Sequence, residues 1–411
     1  MVQNYIRLIT CCSLFFLAAV VCGQDQISFG ELTITDGLSQ NCGISIAQDS
    51  TGYLWIATQD GLNKYDGNEF TVYPFIFDDI TRPGYSHLGK VYVDRDNNIW
   101  SIPSSRIPHR LDVASGHFVP VPVTQHASVI YQDRQGAYWV GTYSDGLLHV
   151  PPDGDFANVR QVIDVRETIY ALAESDSELL AATDNGILAI DSQNRSARDT
   201  LRETLVDGPV QASFSTIAID REGRQWFGTY GRGLYFRNEG ETFLSDTAEL
   251  PLSLPLPADL NILSLFVDSQ NRLWIGTYGK GLYLIELDSY RTRHFMADKY
   301  DPKALHYNDI LSIYEDYTGT IWFGTDGAGL SFYDEYLEKF NSITNYQVPR
   351  NIHVDVVRAI TTDADGSVWV GTSGHGLMQY FPGANSWAKY STEDPPGTRL
   401  TSDRIMSLYA D

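Results

Sequence analysis

Asp268-Ser-Gln-Asn271-Arg-Leu-Trp274-Ile-Gly-Thr277-Tyr-Gly-Lys-Gly281-Leu-Tyr is one copy of a phrase that recurs eight times along the 411-residue chain. It returns at Asp49 to Trp55, Asp94 to Trp100, Asp133 to Trp139, Asp220 to Trp226, Asp316 to Trp322 and Asp363 to Trp369, with a worn copy from Glu174 to Leu180. A period of roughly 40 to 48 residues built from short apolar alternations is the signature of propeller blades, not of helical solenoids. Ahead of the Asp runs a strand-period stretch such as Ile262-Leu-Ser-Leu-Phe-Val267. The Asp side chain then caps a tight turn whose fourth position needs a left-handed backbone, so Gly is used, and Asn97 and Asn271 are its nearest substitutes. The second strand carries a Trp large enough to fill the gap between neighbouring sheets, and Gly-Thr follows where a neighbour must approach closely. Gly-Leu-x-x-Tyr supplies a third strand. Phe70, Phe118, Phe243, Phe295, Phe340 and Trp387 mark an outer one. Four strands make one blade.

The expected fold is therefore all-β: a seven-bladed β-propeller of four-stranded blades over residues 24–346, followed over 347–411 by the first blade of a second, truncated propeller. Inner strands begin near Ile44, Lys90, Val129, Ile169, Ile217, Ile262 and Ile310, and Val357 begins an eighth. Ile27 to Ile34 reads as a lone strand able to complete the last blade and hide the edges of an open ring. The stretch Lys339 to Asn345 leads into the eighth unit as a Phe strand and polar turn lead into the first. Asp411 falls where the turn Asp of a ninth unit belongs, after Ile405 to Tyr409, so the chain is expected to be the leading part of a longer protein or a truncated gene product. The alternative is one eight-bladed ring over 24–411.

Residues 1–23 are expected to be a signal peptide: Arg7 gives a positive start, and the apolar run from Leu8 to Val21 is too short for a comfortable membrane span. Cleavage after Gly23 competes with a lipoprotein site at Cys22, which lacks a small residue just before it. Removing the segment takes three of the four cysteines and leaves Cys42 without an intrachain partner. The product is thus expected to be exported without being disulfide-stapled. A formal charge of −23 argues against nucleic acid, since a polyanion would be repelled before phosphate contacts formed.

Asp-x-x-Gly-x-x-Trp-x-Gly-Thr with Gly-Leu-x-x-Tyr, together with the opening Gly37-Leu-Ser-Gln and Asp60-Gly-Leu-Asn-Lys-Tyr-Asp-Gly67, resembles the two-component regulator propeller repeat. The resemblance covers nearly the whole mature chain. It implies the periplasmic sensor region of a histidine kinase or hybrid two-component system, in which two seven-bladed propellers typically precede an immunoglobulin-like domain, an inner-membrane helix and a kinase. It also implies a ligand, often an oligosaccharide, and transmitter chemistry downstream. The sequence contains no phosphoacceptor His box, ATP-binding glycine motif or receiver domain, so this chain is expected to bind without catalysing and to need no cofactor.

Enzyme readings fit the residues less well. The sialidase turn has one residue between Asp and Gly where two stand here, and no arginine cluster offers a carboxylate clamp. Asp94-Arg-Asp-Asn-Asn98 has the start of a calcium loop, but Ile99 takes the Gly position and Ser105 that of the bidentate acid. The nine histidines show no metal-like pair such as His-Glu-x-x-His, so no metal site is expected. A propeller lyase or hydrolase stays as an alternative, as does a protein-interaction scaffold or homodimer.

In a four-stranded blade the loop between the second and third strands shares a face with the interblade segments, and the Asp turns lie opposite. The ligand-binding candidates on that loop face are Gln59, Asp60, Tyr143, Asp145, Tyr230, Arg232, Tyr278, Lys280 and Asp326. Asp184 and Asn185 share it, and the interblade segments add Arg82, Tyr85, His87, His306 and Tyr307. Tyrosine rings that cover C–H faces, beside carboxylates and amides that address hydroxyls, suit a sugar or another small polar ligand.

Overall fold

The computed structural model describes residues 27–75, 89–121, 123, 126–152, 154–176, 178–191, 197–198, 212–238, 241, 244–335, 343 and 348–410. These form eight four-stranded antiparallel sheets. The sixth is typical: Ile262–Val267, Arg272–Thr277, Leu282–Glu286 and Arg291–Phe295 run in sequence order from inner to outer edge.

The repeated phrase builds each sheet through its turn. The Asp268 carboxylate accepts the backbone N–H groups of Gln270 at 3.0 Å and Arg272 at 2.9 Å, while its second oxygen accepts the Trp274 indole N–H at 2.7 Å. The Asp–Trp bond recurs in all seven complete copies at 2.7–2.9 Å. The Trp is thus more than the gap-filler read from the sequence, because its one polar atom fixes the turn. A hydrogen bond to a charged acceptor contributes about 1.5–3 kcal/mol, and more is lost if a buried partner is orphaned. The expected left-handed turn position is observed, with φ of 63° at Asn97 and 59° at Asn271.

In the first seven sheets each Trp leans on the next sheet round. Trp139 packs with Ile169, Leu179 and Ala181, Trp226 with Leu273 and Ile275, and Trp274 with Ile321 and Phe323. In the worn fourth copy Leu180 takes the place, against Phe214 and Phe227. Trp322 of the seventh sheet packs on Ile46, Leu54 and Ile56 of the first by the same rule.

Polar bonds stitch the same seams. Ser264 donates to the Ile310 carbonyl at 3.3 Å, Ser128 to Ile169, Ser215 to Ile262, and Ser312 of sheet seven to Gly43 at 3.1 Å. On the turn face, the N–H after the turn Asp reaches a side chain at the end of the next inner strand: Ser269 to Glu315 at 2.7 Å and, at closure, Tyr317 to Gln48 at 2.8 Å.

Sheet seven contributes Ile310–Glu315, Ile321–Thr325 and Leu330–Tyr333, and its fourth strand is the N-terminal Gly30–Leu32. The lone leading strand therefore completes the last sheet of the ring, as expected. Phe340, expected to mark an outer strand there, lies outside the described residues, as do Phe243 and the signal segment. The eighth sheet, Val357–Thr362, Val368–Thr372, Leu377–Phe381 and Ser386–Tyr390, has its own core of Val348, Ile352, Val370 and Met378. No helix among the described residues is long and apolar enough to cross a membrane.

Candidate ligand-binding rim

The loop face is organised by the Thr that ends the second strand in seven of the eight sheets; in the second sheet that strand ends at Ile102. Fully buried Thr229 and Thr277 each donate 2.7 Å bonds to the carbonyl of the glycine that closes the loop, Gly233 and Gly281. Thr229 also accepts the N–H of Arg232 at 3.1 Å, as Thr142 accepts that of Asp145 at 2.9 Å and Thr372 that of His375 at 3.0 Å. The residue after the Thr is tied to the interblade segment that enters its own sheet. Tyr143 N–H donates to His126, Tyr230 to Ser213, Tyr278 to Asn261, Asp326 to Asp309 and Ser373 to Val356, at 2.9–3.1 Å. Second-to-third loops and interblade segments thus share one face.

This scaffold brings part of the expected set together. Asp309 accepts the N–H of Gly279, and burial pushes its carboxyl above the ordinary range against the effect of that bond. Burial raises the Tyr230 phenol, and the neighbouring Tyr278 and Asp309 raise it further. Burial, Asp309, Asp326 and Tyr278 do the same to Tyr307, whose ring lies over Gly327. Tyr230, 42% exposed, and Tyr307, 37% exposed, present ring surface to solvent. The Gly279 N–H on the Asp309 carboxylate and the Asp326 N–H on its carbonyl bring the loops of sheets six and seven together at Asp309, a residue the sequence reading passed over, with Tyr230 and Tyr307 within its electrostatic reach. Its only signal is its register, one residue ahead of an inner strand.

The remaining candidates are dispersed. Arg232 and Lys280 sit exposed at their loop tips, and Asp60 and Asp145 are exposed on other sheets. The Gln59 side chain accepts from Gln40 at 3.2 Å. Tyr143 lies beneath the Arg106 guanidinium, 3.9 Å from the ring centroid, a cation–π contact that was not anticipated. Asp184 is engaged by Tyr170 and by the Thr168 N–H at 2.9 Å. His306 contacts Ser331 at 3.2 Å and lies 3.7 Å from Glu31. Arg82, Tyr85 and His87 lie outside the described residues. The turn aspartates on the other face are committed to their turn N–H groups and Trp indoles, which leaves them to structure.

A sequence model of the two component regulator propeller family matches residues 255–279, 304–327 and 352–374. A 59-residue stretch, 14% of this chain, is 48% identical to histidine kinase P4 of Formosa agariphila and corresponds to 4% of that kinase. Among solved structures, the extracellular domain of a hybrid two-component system from B. thetaiotaomicron aligns over 93% of this chain at 21% identity with a TM-score of 0.61. The chain spans about half of that domain, 50% of its length. A streptogramin B lyase aligns over 75% of this chain and 98% of its own at 15% identity, with a TM-score of 0.56. At such identities these structures speak to the fold.

Proposed function

We infer that this chain, whose repeats belong to the two component regulator propeller family, is the ligand-sensing propeller region of an extracytoplasmic two-component receptor, and that it responds to an oligosaccharide or similar polar ligand. The family match and the identity to a histidine kinase support the sensor role. The observation that carries the ligand class is the meeting of two loops at Asp309, through the Gly279 and Asp326 N–H groups, on a face where Tyr230 and Tyr307 expose their rings. Rings that cover apolar sugar faces stand there beside a carboxyl group that can accept from hydroxyls, or donate once protonated. Membrane and kinase segments would belong to the rest of the receptor, and the chain itself would be exported and periplasmic.

Residues from about 347 onward open a second ring in this reading. The Ile405 N–H donates to Thr372 at 2.9 Å, as Gly43 N–H donates to Thr325 at ring closure. Ile405 also crowds Gly371 as Ile310 crowds Gly276. Both contacts match those an incoming inner strand makes elsewhere, which supports that reading.

Thermal-shift and calorimetric screening of the chain against neutral and acidic oligosaccharides tests the proposal. A hit is expected, and Tyr230→Ala with Tyr278→Ala should weaken it at least tenfold with an unchanged melting temperature. A broad library without a hit, from a protein that dimerises robustly, would favour the scaffold. Chemically altered glycans after incubation would favour the lyase or hydrolase.

A further inference from the structure

We propose that His353, Asp355 and His375 form a binding site for a divalent transition-metal ion of the zinc class, clasping the segment that enters sheet eight to its second-to-third loop. The donor atoms of the three side chains all lie within 4.8 Å of one another, and the two imidazoles stack with centroids 4.3 Å apart at 25°. Metal–ligand distances of about 2.0–2.2 Å in a tetrahedron place donor atoms roughly 3.4 Å apart, so modest side-chain rotation brings this set around an ion. Two imidazoles and one carboxylate suit zinc and its neighbours better than calcium or magnesium, and leave a coordination position open.

The backbone that presents these groups is already fixed. His375 N–H is held by Thr372 at 3.0 Å, and the next residue, Gly376, donates to the Asp403 carbonyl at 2.9 Å. The Ser373 N–H donates to Val356, one residue beyond Asp355, at 3.0 Å. Beside the cluster, the Asp403 carboxylate is held by the N–H and hydroxyl of Thr392, both at 2.7 Å. It lies near enough to Gly376 to serve as an outer acceptor that orients a ligating imidazole.

The combination is particular to this sheet. In the register fixed by the Thr–loop bonds, sheet seven carries His306, Asn308 and Ala328 at the same three places, and sheet six carries Ala258, Leu260 and Lys280. Three ligands coincide in sheet eight alone of these three. The 22-residue separation of the two histidines hid the pair from any local motif.

Zinc titration of the metal-free chain at pH 7.5, followed by calorimetry, is expected to give one tight site, with affinity falling at least a hundredfold in His353→Ala or His375→Ala and about tenfold in Asp355→Asn. Binding should weaken as pH drops through the imidazole range, because protons compete for the ligands. Zinc should also protect His353 and His375, and no other histidine, from diethyl pyrocarbonate in the unsubstituted protein; this readout stands even where a variant fails to fold. Undiminished zinc affinity in the alanine variants, protection of a different histidine, or no binding at tenfold excess would each overturn the site.

Discussion

Sheets seven and eight carry almost the same words in almost the same places, yet their inner strands meet different fates. Ile310, which opens the inner strand of sheet seven, is 0% exposed; its counterpart in sheet eight, Val357, is 39% exposed. The Trp–Asp bond is equally short in both, 2.8 and 2.9 Å, so the turn is built locally while burial is conferred by neighbours. Sheet seven lies between sheets six and one. Among the described residues no other sheet packs closely on the inner strand of sheet eight.

That contrast can be broken most sharply at the tryptophans. Trp274→Ala, at a site fully enclosed between sheets, should cost about 3–5 kcal/mol. The equivalent Trp369→Ala should cost less than half as much, since Trp369 is only half-buried. Equal losses by chemical denaturation would mean that burial against a following sheet is not what the residue contributes.

A smaller effect separates the two seams. A Cβ on Gly324 would lie 2.0 Å from the backbone oxygen of Gly43, whereas one on Gly371 would lie 2.6 Å from a methyl carbon of Ile405. A side-chain end can move aside and a backbone carbonyl locked in a ring cannot. Gly324→Ala should therefore cost about 1–3 kcal/mol through overpacking, and Gly371→Ala less. Both melting temperatures, read side by side, test the order.

The smallest expected effect is a pH dependence at the closing seam. Burial lowers the His306 pKa below its ordinary 6.5, and Glu31 on the N-terminal strand only partly opposes this. The unfolded chain then binds the proton more readily than the folded one. The stability contributed by neutral His306 is present above pH 6.5 and is lost as pH falls through the depressed folded value. His306→Gln should flatten that acid limb in stability measured from pH 7.5 down to 5; an unchanged limb would exclude His306 as its source.

The architecture was legible because its signals are local and repeated. Asn97 and Asn271 could be read as left-handed turn positions from their place in the phrase alone. The Trp–Asp bond was half legible, since both residues were noted but not the six-residue reach that joins them. The rim was harder. Tyr230 and Tyr278 stand out by type, but Asp309 gains meaning only when an interblade segment folds against the loops of two sheets, and His353 meets His375 only through strand pairing. Such juxtapositions depend on three-dimensional register, which no single window of sequence contains.

The N-terminal strand Gly30–Leu32 has a consequence for the order of assembly. Its partners, Leu330–Phe332, lie about three hundred residues away, so the ring cannot be sealed until its last sheet has formed. Contacts of such separation form late because loop closure must precede them. Native-state hydrogen exchange should accordingly find the amides of this strand opening before the inner strands do: the seam is the last stitch tied during folding and the first to come undone.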